Sequence, residues 1–425
     1  MRFKLLNMIL NNFKNNYFLY LTVIAFWIKF NIVFFTNVPY TATKYFYPFY
    51  FVILIIKLKE IVEVDKRLFN LILFIFLAFI PIGYLNHSYD LVIYKQWSLS
   101  LLSYLTLYIA ATYLVSENKR HLITICCYIF SFLGAIYCLI QFNLNWTYEQ
   151  GHFREPFNFA RPFGILDDPD HSSSIYIIGL FLTIFYSIRK KHFYFLTLFC
   201  VVFIYAIVVS TSAGAFLSII GALIIFFTLL FFVNLKISKL RIFLIFTLTW
   251  LCIFPAMFLF IHIYNYNILN IKEIISLFKS TSTVITRFDL INLSFQIISE
   301  NPFFGTGLAN DMNPEIFKQY YNSSMSIKHH FHIHNTYLSA ASTIGLIPTI
   351  SLLSLIMLSI YKFSELFFNY KSIINRILIL IIFTSFMTIQ IQSYSLLMLY
   401  SISFWFSLII PFTINDNILI VEKNL

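Results

Sequence analysis

The chain has 425 residues, 60% of them hydrophobic and only 11% charged, with a mean hydropathy of +0.80. Those values exclude a soluble globular domain and point to an integral membrane protein. The formal charge of +11 would suit a nucleic-acid binder, but the cations are distributed between apolar segments rather than gathered in one patch, so no nucleic acid is expected as a partner.

Apolar stretches near the ~20 residues that cross ~30 Å of hydrocarbon recur along the whole chain, which excludes a single anchor carrying a soluble domain. The spans should be helices, because lipid-exposed backbone must satisfy its own hydrogen bonds and the alternation of a barrel is missing. They are expected at roughly 17–35, 40–57, 68–85, 97–115, 121–143, 173–188, 193–210, 212–234, 241–263, 336–361, 375–394 and 396–412. The expected fold is therefore an all-α polytopic membrane protein of about twelve transmembrane helices, or about eleven if the final pair is one re-entrant unit. Three parts follow. Residues 1–263 hold the first nine helices and a polar loop at about 144–172; residues 264–335 form one large polar loop between helices nine and ten; residues 336–425 hold the last three helices and a short tail.

Basic residues collect in alternate loops: Lys57, Lys59, Lys66 and Arg67; Lys119 and Arg120; Arg189, Lys190 and Lys191; Lys236, Lys239 and Arg241; Lys362, Lys371 and Arg376. With Arg2, Lys4, Lys14 and Lys423, these make up most of the lysines and arginines, so the positive-inside rule places both termini in the cytoplasm. The N-terminal region is basic but has no small-residue cleavage site, so it reads as a retained first helix. Cys126, Cys127, Cys138, Cys200 and Cys252 fall inside expected spans, with no CxxC spacing, and read as packing residues.

Three polar segments fall on the opposite, non-cytoplasmic side. The first, at about 144–172, carries Arg154, Glu155, Arg161-Pro162-Phe163-Gly164 and Asp167-Asp168-Pro169-Asp170-His171. The second is the tight junction Ser210-Thr211-Ser212-Ala213-Gly214. The third is the long loop, in which Thr286 and Asp289 have capping-box spacing before an amphipathic pattern, so Arg287 is expected in a first helical turn. A guanidinium beside free helix N–H groups suits an anion such as phosphate. Asn301-Pro302 should end that helix, and Gly305-Thr306-Gly307 should form a turn.

The long loop closes on His329-His330-Phe331-His332-Ile333-His334-Asn335, where water meets the next apolar segment. His334 reads either as a general base or as a structural histidine at a helix start, with Asn335 as N-cap. A competing reading makes His330, His332 and His334 three ligands on one face of an extended strand, with Asp168 or Asp170 completing a divalent site; such matches are common by chance, and no metal is expected. No nucleotide-binding motif appears.

The order of these motifs resembles the bacterial O-antigen ligase and polymerase superfamily. His334-Asn335, nine residues and Gly345 is similar to the ligase signature after the large periplasmic loop. Arg287 before a helix and Asn301-Pro302-Phe303-Phe304-Gly305-Thr306-Gly307 resembles the family's arginine, helix and Pro-x-x-Gly-x-Gly pattern, and Arg161-Pro162-Phe163-Gly164 with Asp168-Pro169-Asp170 resembles its first polar periplasmic segment. The resemblance spans about 160–350. Where the family often carries a second arginine after the seventh helix, this chain has Ser212-Ala213-Gly214; where the signature usually has Gly, Thr or Tyr, it has Pro348.

The resemblance implies a cofactor-free, inverting glycosyltransferase of the bacterial inner membrane with its active site facing the periplasm. The donor would be an undecaprenyl-diphosphate-linked glycan. The acceptor would be lipid A core for a ligase, or a lipid-linked repeat unit for a polymerase, with membrane lipid as the surrounding partner. His334 would act as base and Arg287 would neutralise the diphosphate. His332 or Asp168 would orient the base, Arg161 or Arg154 would supply the second cation, and Asn335 and Gly305 would complete the substrate site. A reading from another class, a lipid-linked oligosaccharide flippase, is disfavoured because the expected spans carry almost no charge apart from Lys29, whereas transporters place ionisable groups at mid-membrane.

Overall fold

The computed structural model describes, besides isolated positions, residues 117–144, 153–154, 159–160, 169–190, 193–210, 212–234, 238–251, 281–307, 333–394 and 401–414. Within them lie ten α-helices: α1 (His121–Asn143), α2 (Pro169–Lys190), α3 (Phe193–Ser210), α4 (Ala213–Leu230), α5 (Lys239–Leu251), α6 (Thr281–Glu300), α7 (Thr336–Ile344), α8 (Leu346–Asn369), α9 (Ile373–Ser393) and α10 (Ile402–Thr413). A two-residue hairpin, β1 (Phe153–Arg154) and β2 (Phe159–Ala160), pairs antiparallel between α1 and α2.

Composition decides which helix lies inside. From Leu378 to Ser393 every residue of α9 is buried, as a helix apolar all round requires. Around it pack α2, α4, α8 and α10, while α1 and α3 close on α2 and α5 lies along α8. Phe246 of α5 stacks on Phe383 of α9 at 4.2 Å, and Phe363 of α8 meets Phe383 and Phe386 at 5.3 and 5.6 Å. The outer helices keep apolar rows facing outward: Leu198, Val201, Ile204, Tyr205 and Val208 on α3, and Leu217, Ile220, Ile224 and Phe227 on α4. Such contiguous exposed apolar surface is what a lipid solvent accepts and water does not.

The structure corrects the expected layout of about twelve crossings. Among the described residues, four helices are long and apolar enough to cross a membrane: His121–Asn143, Pro169–Arg189, Leu346–Asn369 and Ile373–Ser393. The other apolar helices, Thr197–Ser210, Gly214–Leu230 and Ser403–Thr413, are shorter. Length is the physical reason. At 1.5 Å per residue, the 12 residues of α10 cover roughly 18 Å, well short of ~30 Å of hydrocarbon. The expected continuous span 336–361 is two helices divided at Gly345, and the expected 396–412 begins as helix only at Ile402. The spans expected at 17–35, 40–57 and 68–85 lie outside the described residues, as do most of 97–115 and the second half of 241–263. The protein is thus a multi-span membrane protein whose described part has four spanning helices braced by shorter ones.

Candidate active site

One end of this bundle gathers the polar segments. α7 begins at Asn335, whose extended backbone (φ −154°, ψ 115°) and side-chain oxygen form an N-cap: Oδ1 accepts from the N–H groups of Tyr337 at 3.0 Å and Leu338 at 2.9 Å. The same amide's Nδ2 donates to Tyr394 O at 3.2 Å, joining the helix start to the segment after α9. Thr336 repeats the link: its hydroxyl donates to Leu396 O at 2.8 Å and accepts from Met398 N at 2.7 Å. Trp405 Nε1 donates to Leu399 O at 2.8 Å. Leu396, Met398, Leu399 and Ser401, the described residues between Tyr394 and α10, are all buried and non-helical. Backbone of that kind persists at membrane depth only where side chains satisfy its polar groups, as they do here.

His334 sits immediately before the cap. Asn335 N donates to Ile333 O at 2.8 Å, which makes His334 the central residue of a three-residue turn. Ile333 and Asn335 on either side are buried, at 1% and 4% exposure, whereas His334 is half-buried. Two anchored neighbours therefore hold the histidine backbone at the surface of the polar end. The Tyr394 ring packs against Tyr337 of α7, with ring centres 4.7 Å apart, and burial pushes its phenol above the ordinary range.

Hydroxyls and amides extend the network to α2. Gln392 Nε2 donates to Asp170 O at 3.0 Å and Ser173 Oγ at 3.4 Å, and Ser174 Oγ donates to Ser403 Oγ at 2.5 Å. Tyr337 Oη donates to Gln390 Oε1 at 2.7 Å, and Gln390 Nε2 donates to Ser407 Oγ at 3.2 Å. Gly164, of the segment that carries Arg161, donates its N–H to Gln141 Oε1 at 2.8 Å, and a side chain at Gly164 would overlap Ser172 and Tyr176. Gly164, the start of α2 and the start of α7 are thereby tied to one end of the bundle.

The remaining sequence-derived candidates are placed unequally. Arg287 lies in α6, which starts at Thr281, so it occupies the second helical turn and not the first. Thr286 is then a helix-interior residue rather than a cap, and the free N–H groups of a helix start no longer contribute to anion binding by Arg287. α6 ends at Glu300, just before Asn301-Pro302, and buries Leu290, Leu293, Ser294 and Ile297 at helical spacing as it packs on α7. Gly305 is buried against α7 and α8. Arg154 is in β1, with Phe159 opposite. His332, Arg161 and Asp168 lie outside the described residues.

The sequence reasoning passed over Gln141, Gln390 and Gln392, the amides that brace this end. Their signal was visible, since a lone amide within an apolar span needs an internal partner. It also passed over the helix break at Gly345, for which Gly345 followed by Pro348 is the signal: a glycine ends one helix and a proline fits the first turn of the next.

Comparison with known proteins adds one finding. Residues 198–353 match the O-antigen ligase family, a stretch that runs from α3 into α8 and includes Arg287, His334, Asn335 and Gly345. The match covers part of the chain and is consistent with that superfamily. No curated protein matches the chain.

Proposed function

We propose that this protein is a membrane glycosyltransferase of the O-antigen ligase type, passing a glycan from a polyprenyl diphosphate carrier to a lipid A core sugar. The observation that carries the reading is the family match, because the matched stretch holds both the arginine helix and the histidine turn. The geometry adds support: His334 is held half-buried between two buried neighbours at the polar end. The opposite end carries the basic residues Arg120, Lys239, Lys362 and Arg376. By the positive-inside rule the basic end faces the cytoplasm, and the His334 end faces the periplasm.

The chemistry is a direct displacement. An acceptor hydroxyl oxygen attacks the anomeric carbon of the donor, forming the new glycosidic bond as the bond to the diphosphate oxygen breaks. His334 takes the hydroxyl proton, its reference pKa of about 6.5 being suited to neutral pH. The diphosphate leaves on its lipid with its charge neutralised by Arg287 and a second cation from Arg161 or Arg154, which is electrostatic stabilisation of the transition state. One displacement inverts the anomeric configuration. His332 and Asp168 are the candidates for orienting the base, and Gly305 and Asn335 shape the backbone around the substrate.

A deletion strain of the source organism complemented with wild type, His334→Ala or Arg287→Ala tests the assignment through glycolipid gels and analysis of carrier-linked glycan. The expected result is bare core with full-length glycan retained on the carrier in the deletion and in both variants. Core bearing a single repeat unit would identify a polymerase. An unchanged glycolipid ladder in the deletion would refute transfer of either kind.

A further inference from the structure

The turn after α6 and the break between α7 and α8 fit together backbone to backbone. Thr306 N donates to Ser342 O at 2.9 Å and Gly307 N to Thr343 O at 2.8 Å, while Leu346 N donates to Pro302 O at 2.8 Å. Ser342 O and Thr343 O belong to the last turn of α7, where carbonyls have no partner within the helix, and Leu346 N is the first N–H of α8, which likewise has none. The turn supplies the groups that the break leaves unsatisfied, and Thr306 Oγ1 adds a donor to Ser342 O at 3.3 Å.

Glycine makes the approach possible on both sides. Gly305 (φ +65°) and Gly345 (φ +88°) adopt left-handed backbone that other residues rarely take. A side chain on Gly305 would meet Thr343 and the amide of Gly345, and one on Gly345 would overlap Phe303 O and Phe304 Cα. These obstacles are backbone atoms, so rotamer changes cannot relieve them.

We propose that this interlock, formed by residues Pro302 to Gly307 and Ser342 to Leu346, sets the placement of the Arg287 helix relative to His334, making Gly305 and Gly345 positioning residues for the transfer reaction. The inference rests on the functional reading above. α6 ends just before this point and α7 ends at it: roughly 20 Å of α6 separates Glu300 from Arg287, and roughly 12 Å of α7 separates Ile344 from Thr336, two residues after His334, at 1.5 Å per residue. α6 also packs along α7. A shift of the interlock therefore moves the arginine with respect to the histidine, and a displacement near 1 Å costs on the order of 10²-fold in rate when reacting groups must be aligned.

The test uses membranes containing the full chain, supplied with polyprenyl-diphosphate-linked glycan and lipid A core acceptor. Gly345→Ala and Gly305→Ala are expected to lower kcat at least about ten-fold, with the donor KM within about three-fold. Gly345→Ala combined with Arg287→Ala should lose no more than the worse single variant, because misplacement is immaterial once the guanidinium is gone. Multiplying losses in the double variant, or unchanged kcat in both glycine variants, would overturn the proposal while leaving the transferase reading intact. Full transfer by Arg287→Ala would overturn the proposal together with the role given to Arg287, while transfer itself would stand. Should the glycine variants fail to accumulate, the pair Thr306→Cys and Ser342→Cys serves instead. The account expects a crosslink in membranes with transfer retained; absence of the crosslink, or transfer that returns only on reduction, would overturn the proposal.

Discussion

The two ends of the helical bundle use polar groups in opposite ways. At the basic end, cations are bound to fixed structure: Arg376 Nη1 donates to Val233 O at 2.7 Å, its Nε to Tyr370 O at 3.0 Å, and its guanidinium lies 5.2 Å from the Phe367 ring centre. Lys239 donates to the Tyr361 hydroxyl at 2.9 Å, and Arg120 to Val115 O at 2.9 Å. At the other end neutral groups, the Asn335 amide and the Thr336 hydroxyl, hold the backbone beside His334 to the residues that follow α9. The basic end uses charge to close helix termini. The polar end uses neutral groups to hold a turn that presents a titratable side chain. Substitutions at the two ends should therefore separate: one set lowers transfer out of proportion to stability, the other lowers stability alone.

The largest separation is expected from His334→Ala. Loss of a general base costs about 10²- to 10⁴-fold in rate, a loss that should appear in each folded molecule and exceed any fall in the amount of folded protein in membranes. Initial transfer rate per folded molecule is the measurement; a loss explained by falling protein level would place His334 in the structural set.

Next comes Thr336→Val, which removes a buried hydroxyl that donates to Leu396 O and accepts from Met398 N. Two unsatisfied backbone groups should cost about 1–3 kcal/mol each, seen as a lower midpoint of thermal unfolding in detergent. Because those groups shape the connection beside the histidine turn, transfer per folded molecule should also drop. Equal stability to wild type would show that this connection does not depend on Thr336.

Arg376→Ala is the matched control at the basic end. It removes two bonds to backbone carbonyls and a ring contact, a loss on the order of 1–3 kcal/mol. The unfolding midpoint should fall while transfer per folded molecule stays at the wild-type value. A specific loss of transfer would mean that the basic end takes part in the reaction, and the contrast between the ends would disappear.

The smallest effect belongs to Lys362→Ala. The Lys362–Glu365 pair spans 2.9 Å with its side chains 31% and 29% exposed, and partly exposed ion pairs contribute about 0–1 kcal/mol. Neither stability nor transfer should change measurably.

The sequence disclosed the parts of this structure that depend on local pattern. The expected span 121–143 coincides with α1, and the limits expected at 193–210 are those of α3, although α3 is not among the helices long and apolar enough to cross a membrane; apolar runs bounded by charged or polar residues report helix limits, not crossings. Asn335 was readable as a cap because an asparagine before an apolar run has a local mechanism. The break at Gly345 was obscured because Thr336 to Asn369 stays apolar on both sides of it, and hydropathy does not register a gap in hydrogen bonding. What closes that gap is the turn at Gly305 to Gly307, about 40 residues earlier, a tertiary partner that no window of sequence contains. Thr286 and Asp289 match a capping box by spacing alone and so point to a helix start one turn too late for Arg287; the backbone enters the helix at Thr281. The polar network of Gln141, Gln390 and Gln392 was legible as buried amides but not as a brace, since their partners lie on other helices.

The central claim is that the histidine at the polar end takes the acceptor proton during transfer from a lipid diphosphate. It is tested most directly by following glycan transfer from purified carrier-linked donor to lipid A core by wild type and His334→Ala, each reconstituted in vesicles at equal folded concentration. The account predicts rapid capping of core by wild type and at least about a hundred-fold slower capping by the variant, with donor left intact on its carrier. Equal rates for the two proteins, or no transfer by wild type, would contradict it.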